Sequence, residues 1–131
     1  MNNFIAISRY DIVNTDHLID IKLGEVQKRI YYSTVDPSGF DIKTSSEDFG
    51  NEADAIYAFG IINARLAAKG FLTVSPRRSI NTKYIASIRY QEDVNMSGRE
   101  SGTIYIDMIY GKTISLSTDS SFAEIARKLG I

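Results

Sequence analysis

The chain has 131 residues, of which 44% are hydrophobic and 24% charged, with no cysteine and a net charge of −1; that is one domain's worth of chain, long enough to bury a core without staples. The missing cysteine excludes disulfides, thiolate metal sites and cysteine nucleophiles together, and fits a reducing compartment. The near-neutral balance excludes a uniformly positive coat for nucleic acid, and no stretch approaches the roughly 20 apolar residues that cross a bilayer.

Met1-Asn2-Asn3 has no basic region followed by a long apolar run, so the expectation is a cytoplasmic protein without a signal peptide or membrane partner. Strands are predicted near Phe4–Ser8, Leu18–Leu23, Arg29–Val35 and Phe40–Thr44, from short apolar runs bounded by turn residues. Asp36-Pro37-Ser38-Gly39 suits a type I turn. A helix follows near Glu52–Lys69, capped by Asn51 and closed by Gly70, with Ile56, Phe59, Ile62 and Leu66 as its buried stripe. Ala58, Ile61, Ala64 and Ala68 give it a second apolar side, which predicts a helix sandwiched between two sheets.

The same order then returns. Strands are predicted at Phe71–Ser75, Lys83–Tyr90 and Thr103–Tyr110, with a fourth around Ile114 and Leu116 after a turn at Tyr110-Gly111. Glu92–Gly102 reads as a mobile loop rich in Ser, Gly and charge, where the first half has only Gly24–Gln27. Phe122, Ile125, Ala126 and Leu129 follow helical spacing, with Ser121 and Glu124 as a capping box and Lys128 and Gly130 at the end.

The recurrence extends to residue types. Phe4-Ile5-Ala6-Ile7-Ser8 matches Phe71-Leu72-Thr73-Val74-Ser75, and Val13-Asn14-Thr15 through Ile21 matches Ile80-Asn81-Thr82 through Ile88, both at a shift of 67. The shift becomes 74 at Ile30-Tyr31 against Ile104-Tyr105, and 72 at Ile42 against Ile114. The reading is an internal duplication: an α+β fold of two tandem ββββα repeats, residues 1–69 and 70–131, with mainly antiparallel sheets. Each repeat is marginal alone, so the two are expected to pack within one domain, 1–131, as an approximate twofold pseudo-dimer.

Chemistry is harder to find. His17, the single histidine, is followed by Leu18 in a strand and has Tyr84 as its counterpart, which reads as a structural position at a sheet rim. Asp11, Asp16 and Asp20, and then Glu47, Asp48, Glu52 and Asp54, are plentiful carboxylates, and the second group is explained by the helix N-terminus. Gly98 and Gly102 match no phosphate-binding loop. No cofactor and no metal is expected, and the chain reads as non-catalytic.

One constellation remains. Residues 1–69 hold seven Lys/Arg and ten Asp/Glu, against eight and six in 70–131, and no acid occurs from Gly70 to Gln91. Arg77, Arg78, Lys83 and Arg89 lie in that run beside Tyr84 and Tyr90. Cations supply phosphate contacts and an exposed tyrosine stacks on an unpaired base; a solvated turn between strands is the plainer alternative.

Through Phe71, Arg78-Ser79, Asn81, Tyr84-Ile85, Ile88 and Tyr110-Gly111-Lys112 with Ile114, the second half resembles bacterial LytTR-type DNA-binding modules. Through Asn81 to Ile88, Gly111-Lys112-Thr113-Ile114 and Glu124-Ile125, it also resembles small bacterial regulators of the FlbD type. The paired layout is similar to that of the single-strand-binding PUR and whirly families. These resemblances imply a small regulatory protein that binds nucleic acid, RNA or single strands before duplex DNA. The competing expectation is a protein-interaction or self-assembly module, homo-oligomer included, that docks through sheet edges or a tyrosine-bearing face.

Overall fold

The computed structural model describes the backbone of residues 3–26, 28–36, 38–39, 41–92, 102–118 and 122–130, with all their side chains but those of Thr118, Phe122, Ile125 and Lys128. The expected Glu92–Gly102 loop between its ends, the Ser121 cap, Pro37 of the type I turn and the side chains of Phe122 and Ile125 in the second helix's apolar stripe lie outside what the structure describes. The fold is α+β with antiparallel strand pairing throughout the described sheets. It divides into two compact units, Met1–Thr82 and Lys83–Ile131, so the division lies beyond the 69/70 boundary between the sequence repeats.

In the first unit the strands are β1 (Phe4–Ala6), β2 (Ile12–Asn14), β3 (Leu18–Leu23), β4 (Arg29–Val35), β5 (Ile42–Asp48), β6 (Leu72–Ser75) and β7 (Arg78–Ile80), with helix α1 at Glu52–Ala68. β1 and β2 form a hairpin of their own, and the other five make one sheet in the order β5-β4-β3-β7-β6. The short strands β2 and β7 were not anticipated. They arise because the chain doubles back in a tight turn after Ser8 and again after Ser75: the Ser8 hydroxyl accepts the Tyr10 N–H at 3.1 Å, and the Ser75 hydroxyl accepts the Arg77 N–H at 3.1 Å. Such serine turns compete with strand continuation.

Helix α1 starts where Asn51 accepts the Asp54 N–H at 2.9 Å, and returns its own amide to the Asp54 carboxylate at 2.9 Å. It stops at Gly70, whose φ of 91° opens the left-handed turn that lets Phe71 N–H reach back to Leu66 O at 3.0 Å. Its buried face is Ala55, Phe59, Ile62 and Leu66, packed in one core with Ile5, Ile21, Ile30 and Tyr32. Each large side chain so buried contributes about 1.5–3 kcal/mol. Two expectations need correcting. Ile56 is 45% exposed rather than part of the stripe, and Ile61, Ala64 and Ala68 of the second apolar side are open to solvent, not sandwiched. Periodicity put Ile56 beside Phe59, but the stripe is centred one residue earlier, on Ala55.

The second unit has β8 (Ile85–Glu92), β9 (Gly102–Met108) and β10 (Thr113–Thr118) in the order β10-β9-β8, then the two-turn helix α2 (Phe122–Lys128). A 3-10 turn at Thr82–Tyr84 replaces the expected start of its first strand. On β9, Ile104, Ile106 and Met108 are buried while Thr103, Tyr105 and Asp107 are half-exposed, the alternation that period two demands.

Strand pairing within the two units follows one numerical rule. β3 pairs with β4 through Asp20/Ser33, Ile21/Tyr32, Lys22/Tyr31 and Leu23/Ile30, with an irregularity between Leu18 and Asp20. Shifts of 67 and 74 turn these into Ser87/Asp107, Ile88/Ile106, Arg89/Tyr105 and Tyr90/Ile104, with the irregularity between Ile85 and Ser87, all of which are the pairs of β8 and β9. The Val35 N–H reaches His17 O and the Ile109 N–H reaches Tyr84 O, each at 2.9 Å, and these too are related by the same shifts. Hairpin β1–β2 pairs Ile5/Val13 and Ala6/Ile12, hairpin β6–β7 pairs Leu72/Ile80 and Thr73/Ser79, again at 67. In the last strand of each set the expected shift of 72 is wrong. Ser45 faces Tyr32 and Ile114 faces Ile106, a shift of 69, because matching Ile42 to Ile114 by residue type ignores that Ile42 is exposed and Ile114 buried.

Candidate interaction surfaces

Two of the four cations of the basic rim expected in the second half are paired with carboxylates of the chain. Arg78 lies on β7 beside β3, and its guanidinium donates to Asp20 at 2.5 Å with both side chains nearly buried, 15% and 10% exposed. Its Nε is buried and, among the described residues, meets no hydrogen-bond acceptor. Arg89 clasps Asp107 across β8 and β9, Nε to Oδ2 at 2.9 Å and Nη2 to Oδ1 at 3.1 Å, and lies 5.1 Å from the Tyr105 ring. Asp107 also accepts the Ser87 and Thr113 hydroxyls, each at 2.8 Å, and these donors with Arg89 hold its carboxyl far below the usual carboxylate range.

The aromatic partners are committed as well. Tyr84 is 5% exposed and sits 5.8 Å from the Tyr110 ring, with the Lys83 ammonium 5.7 Å from its centroid. Tyr90 is half-buried and lies so close over Gly102 that a Cβ there would come within 2.5 Å of its ring. Arg77, in the β6–β7 turn, and Lys83 are exposed, and so is Arg89 despite its ion pair. Residues that carry the family resemblances are similarly occupied: Ser79 donates its hydroxyl to Asn63 on α1, and Asn81 donates its amide to Thr15 O at 3.2 Å and Leu18 O at 2.9 Å.

His17 stands just before β3, its Nδ1 3.3 Å from Val35 O. A carboxyl pair that the sequence did not reveal joins Asp11, in the β1–β2 turn, to Glu47 on β5. The Tyr32 hydroxyl donates to Asp11 at 2.9 Å. The hydrogen bonds from Glu47 and Tyr32 pull Asp11 below its ordinary pKa, while the proton held toward Asp11 pushes Glu47 up. Burial and the Asp11 carboxylate raise Tyr32 to about 12.

Two surfaces are left without use. The first is the outer edge of β8. In the first unit the corresponding edge of β3 carries β7, through Asp20/Ile80, Ile21/Ser79 and Lys22/Arg78. β8 pairs with β9, and among the described residues no strand lies along its other side. The second is the outward face of α1, where Ile56, Tyr57 and Ile61 are 45%, 73% and 38% exposed. Among the described residues no group of three or more His, Asp and Glu side chains gathers to hold a metal ion, and no helix is long and apolar enough to cross a membrane. No protein-family model, no curated protein and no solved structure matches the chain.

Proposed function

We propose that the protein is a non-catalytic interaction module, built by duplication of one β-rich unit ending in a helix, that takes an extended segment of a partner protein along the bare edge of β8. Support for the duplication comes from the identical strand registers, the matched irregularities at Leu18/Asp20 and Ile85/Ser87, and the paired serine turns. A tandem pseudo-dimer of such units is the architecture this reading favours. The observation that carries the function is a difference between two strands of matching register: β3 has its edge filled by β7, and among the described residues β8 has none along its outer edge. An unpaired row of backbone N–H and C=O groups is a template for strand addition, with main-chain hydrogen bonds giving affinity and alternate side chains giving specificity.

The probes are peptides of residues 70–81, the segment that β3 accepts, and of residues 3–14, its counterpart in the first half. Fluorescence anisotropy is expected to show micromolar binding of at least one to the full chain, lost when Ala86→Lys and Ile88→Lys guard the edge. No binding at about 1 mM peptide, or binding unchanged by the guarded edge, sinks the proposal.

Nucleic-acid binding is the second reading, favoured by the exposure of Arg77 and Lys83 in the acid-free run. With about two phosphate contacts, the slope of log K on log salt would be near −0.9 per contact. Gel shifts on short RNA and DNA that are insensitive to salt, or to Arg77→Glu with Lys83→Glu, dispose of it.

A further inference from the structure

The outward face of α1 carries a pattern that the β8 edge does not explain. From Ala55 to Ala68 its single charged residue is Arg65, and Ile56, Tyr57 and Ile61 stand exposed among exposed Gly60, Ala64 and Ala67. A helix that is apolar around most of its circumference is normally covered on both sides, whereas α1 buries only the face of Ala55, Phe59, Ile62 and Leu66. Scattered exposed apolar residues need no explanation, but a continuous patch on one helix marks a docking surface.

The charges at the two ends of the patch say what docks there. Asp54 and Arg65 are eleven residues apart, three turns of helix, so they lie on one flank with Ile61 between them. If a second α1 runs antiparallel about a twofold axis near Gly60, Asp54 of each copy meets Arg65 of the other, twice over, by symmetry. Tyr57 of each copy then falls near Ala64 of the other, a large ring against a small residue. A parallel arrangement would set Asp54 against Asp54 and Arg65 against Arg65. A surface that complements itself under a twofold operation is what an isologous dimer interface requires. We infer that the outward face of α1 docks antiparallel on the same face of a second copy of this chain, with reciprocal Asp54–Arg65 ion pairs at its rim.

The interface is one helix wide, which places it among small, reversible contacts with dissociation constants on the order of 10 μM. The test is sedimentation equilibrium on the full chain, wild type and variants, each checked for fold by circular dichroism. Wild type is expected to dimerise in the tens of micromolar, Asp54→Lys and Arg65→Glu each to weaken this at least tenfold, and an equimolar mixture of the two to restore it as a heterodimer. Because Asp54 also answers the Asn51 cap, a poorly folded Asp54→Lys is replaced by Asp54→Asn, expected to weaken dimerisation by a few-fold, with Ile61→Lys abolishing it. Wild type that stays monomeric at about 200 μM, a mixture that fails to restore association, or an Ile61→Lys protein that dimerises normally overturns the inference. The β8 edge is untouched by these variants, so peptide binding there reports on the other surface independently.

Discussion

Arg78 shows how a residue's neighbours in space outrank its neighbours in sequence. Its own stretch holds no acid from Gly70 to Gln91, yet Asp20, 58 residues earlier, neutralises it. Removing one member of a nearly buried pair strands the other. Asp20→Ala is therefore expected to cost about 3 kcal/mol, measured by urea unfolding, while surface Arg77→Ala costs nothing resolvable. Asn81→Ala removes the amide donor that the buried carbonyls of Thr15 and Leu18 share and is expected to cost about 1–3 kcal/mol.

The Asp11–Glu47 pair gives a signed pH dependence. Glu47 is raised in the folded chain, so its ionisation at neutral pH opposes folding, and stability rises as pH falls through its raised pKa toward the ordinary glutamate range. Asp11 and Asp107 are lowered, so the stability they add is present above the ordinary aspartate range and is lost as pH falls further through their folded values. The urea midpoint is expected to climb slightly on mild acidification and then drop. Glu47→Gln should raise the midpoint at pH 7 and erase the climb while leaving the later drop. A wild-type midpoint that only falls below pH 7 rejects this account of the pair.

At the scale of elements, most of the regular structure was legible. The strands at Leu18–Leu23, Arg29–Val35 and Gly102–Met108 and helix α1 sit within a residue or two of where alternation, helical spacing and caps put them, because each has enough residues for a period to declare itself. β2 and β7 have three residues apiece and no period to read. The signal that could have found them was the serine two residues before an exposed turn residue, repeated at Ser8/Tyr10 and Ser75/Arg77. The basic rim was legible only as a run along the chain: the acid-free run covers β6, β7 and most of β8, and the countercharges of Arg78 and Arg89 stand on β3 and β9 beside them.

Cross-strand glycine packing offers a test at this scale. Gly102 opens β9 under the Tyr90 ring, and a Cβ there would come within 2.5 Å of it. Gly102→Ala is expected to cost about 1–3 kcal/mol, as overpacking does, and Tyr90→Ala should relieve most of that cost in the double variant. Additive losses would mean that the ring is not what Gly102 accommodates.

For the molecule as a whole, the first repeat expected from the sequence and the first compact unit end at different places. The hairpin after α1 completes the first unit's sheet through β3/β7 pairing, the Asp20–Arg78 pair and the Ser79 and Asn81 bonds. A chain cut after Thr82 is therefore expected to keep cooperative unfolding by circular dichroism. One cut after Lys69, at the repeat boundary, should lose it or aggregate through the uncovered β3. Cooperative folding of the shorter fragment would refute this account of the unit.

The placement of that hairpin also imposes a timetable on biosynthesis. Helix α1 and the strands before it emerge from the ribosome while the seat beside Ile21 is still vacant, and closure waits until the codon for Asn81 has been translated and its amide has cleared the exit tunnel. Slow decoding between Gly70 and Thr82 would prolong the interval in which a nascent chain is most exposed to chaperones, proteases and its neighbours on the same message.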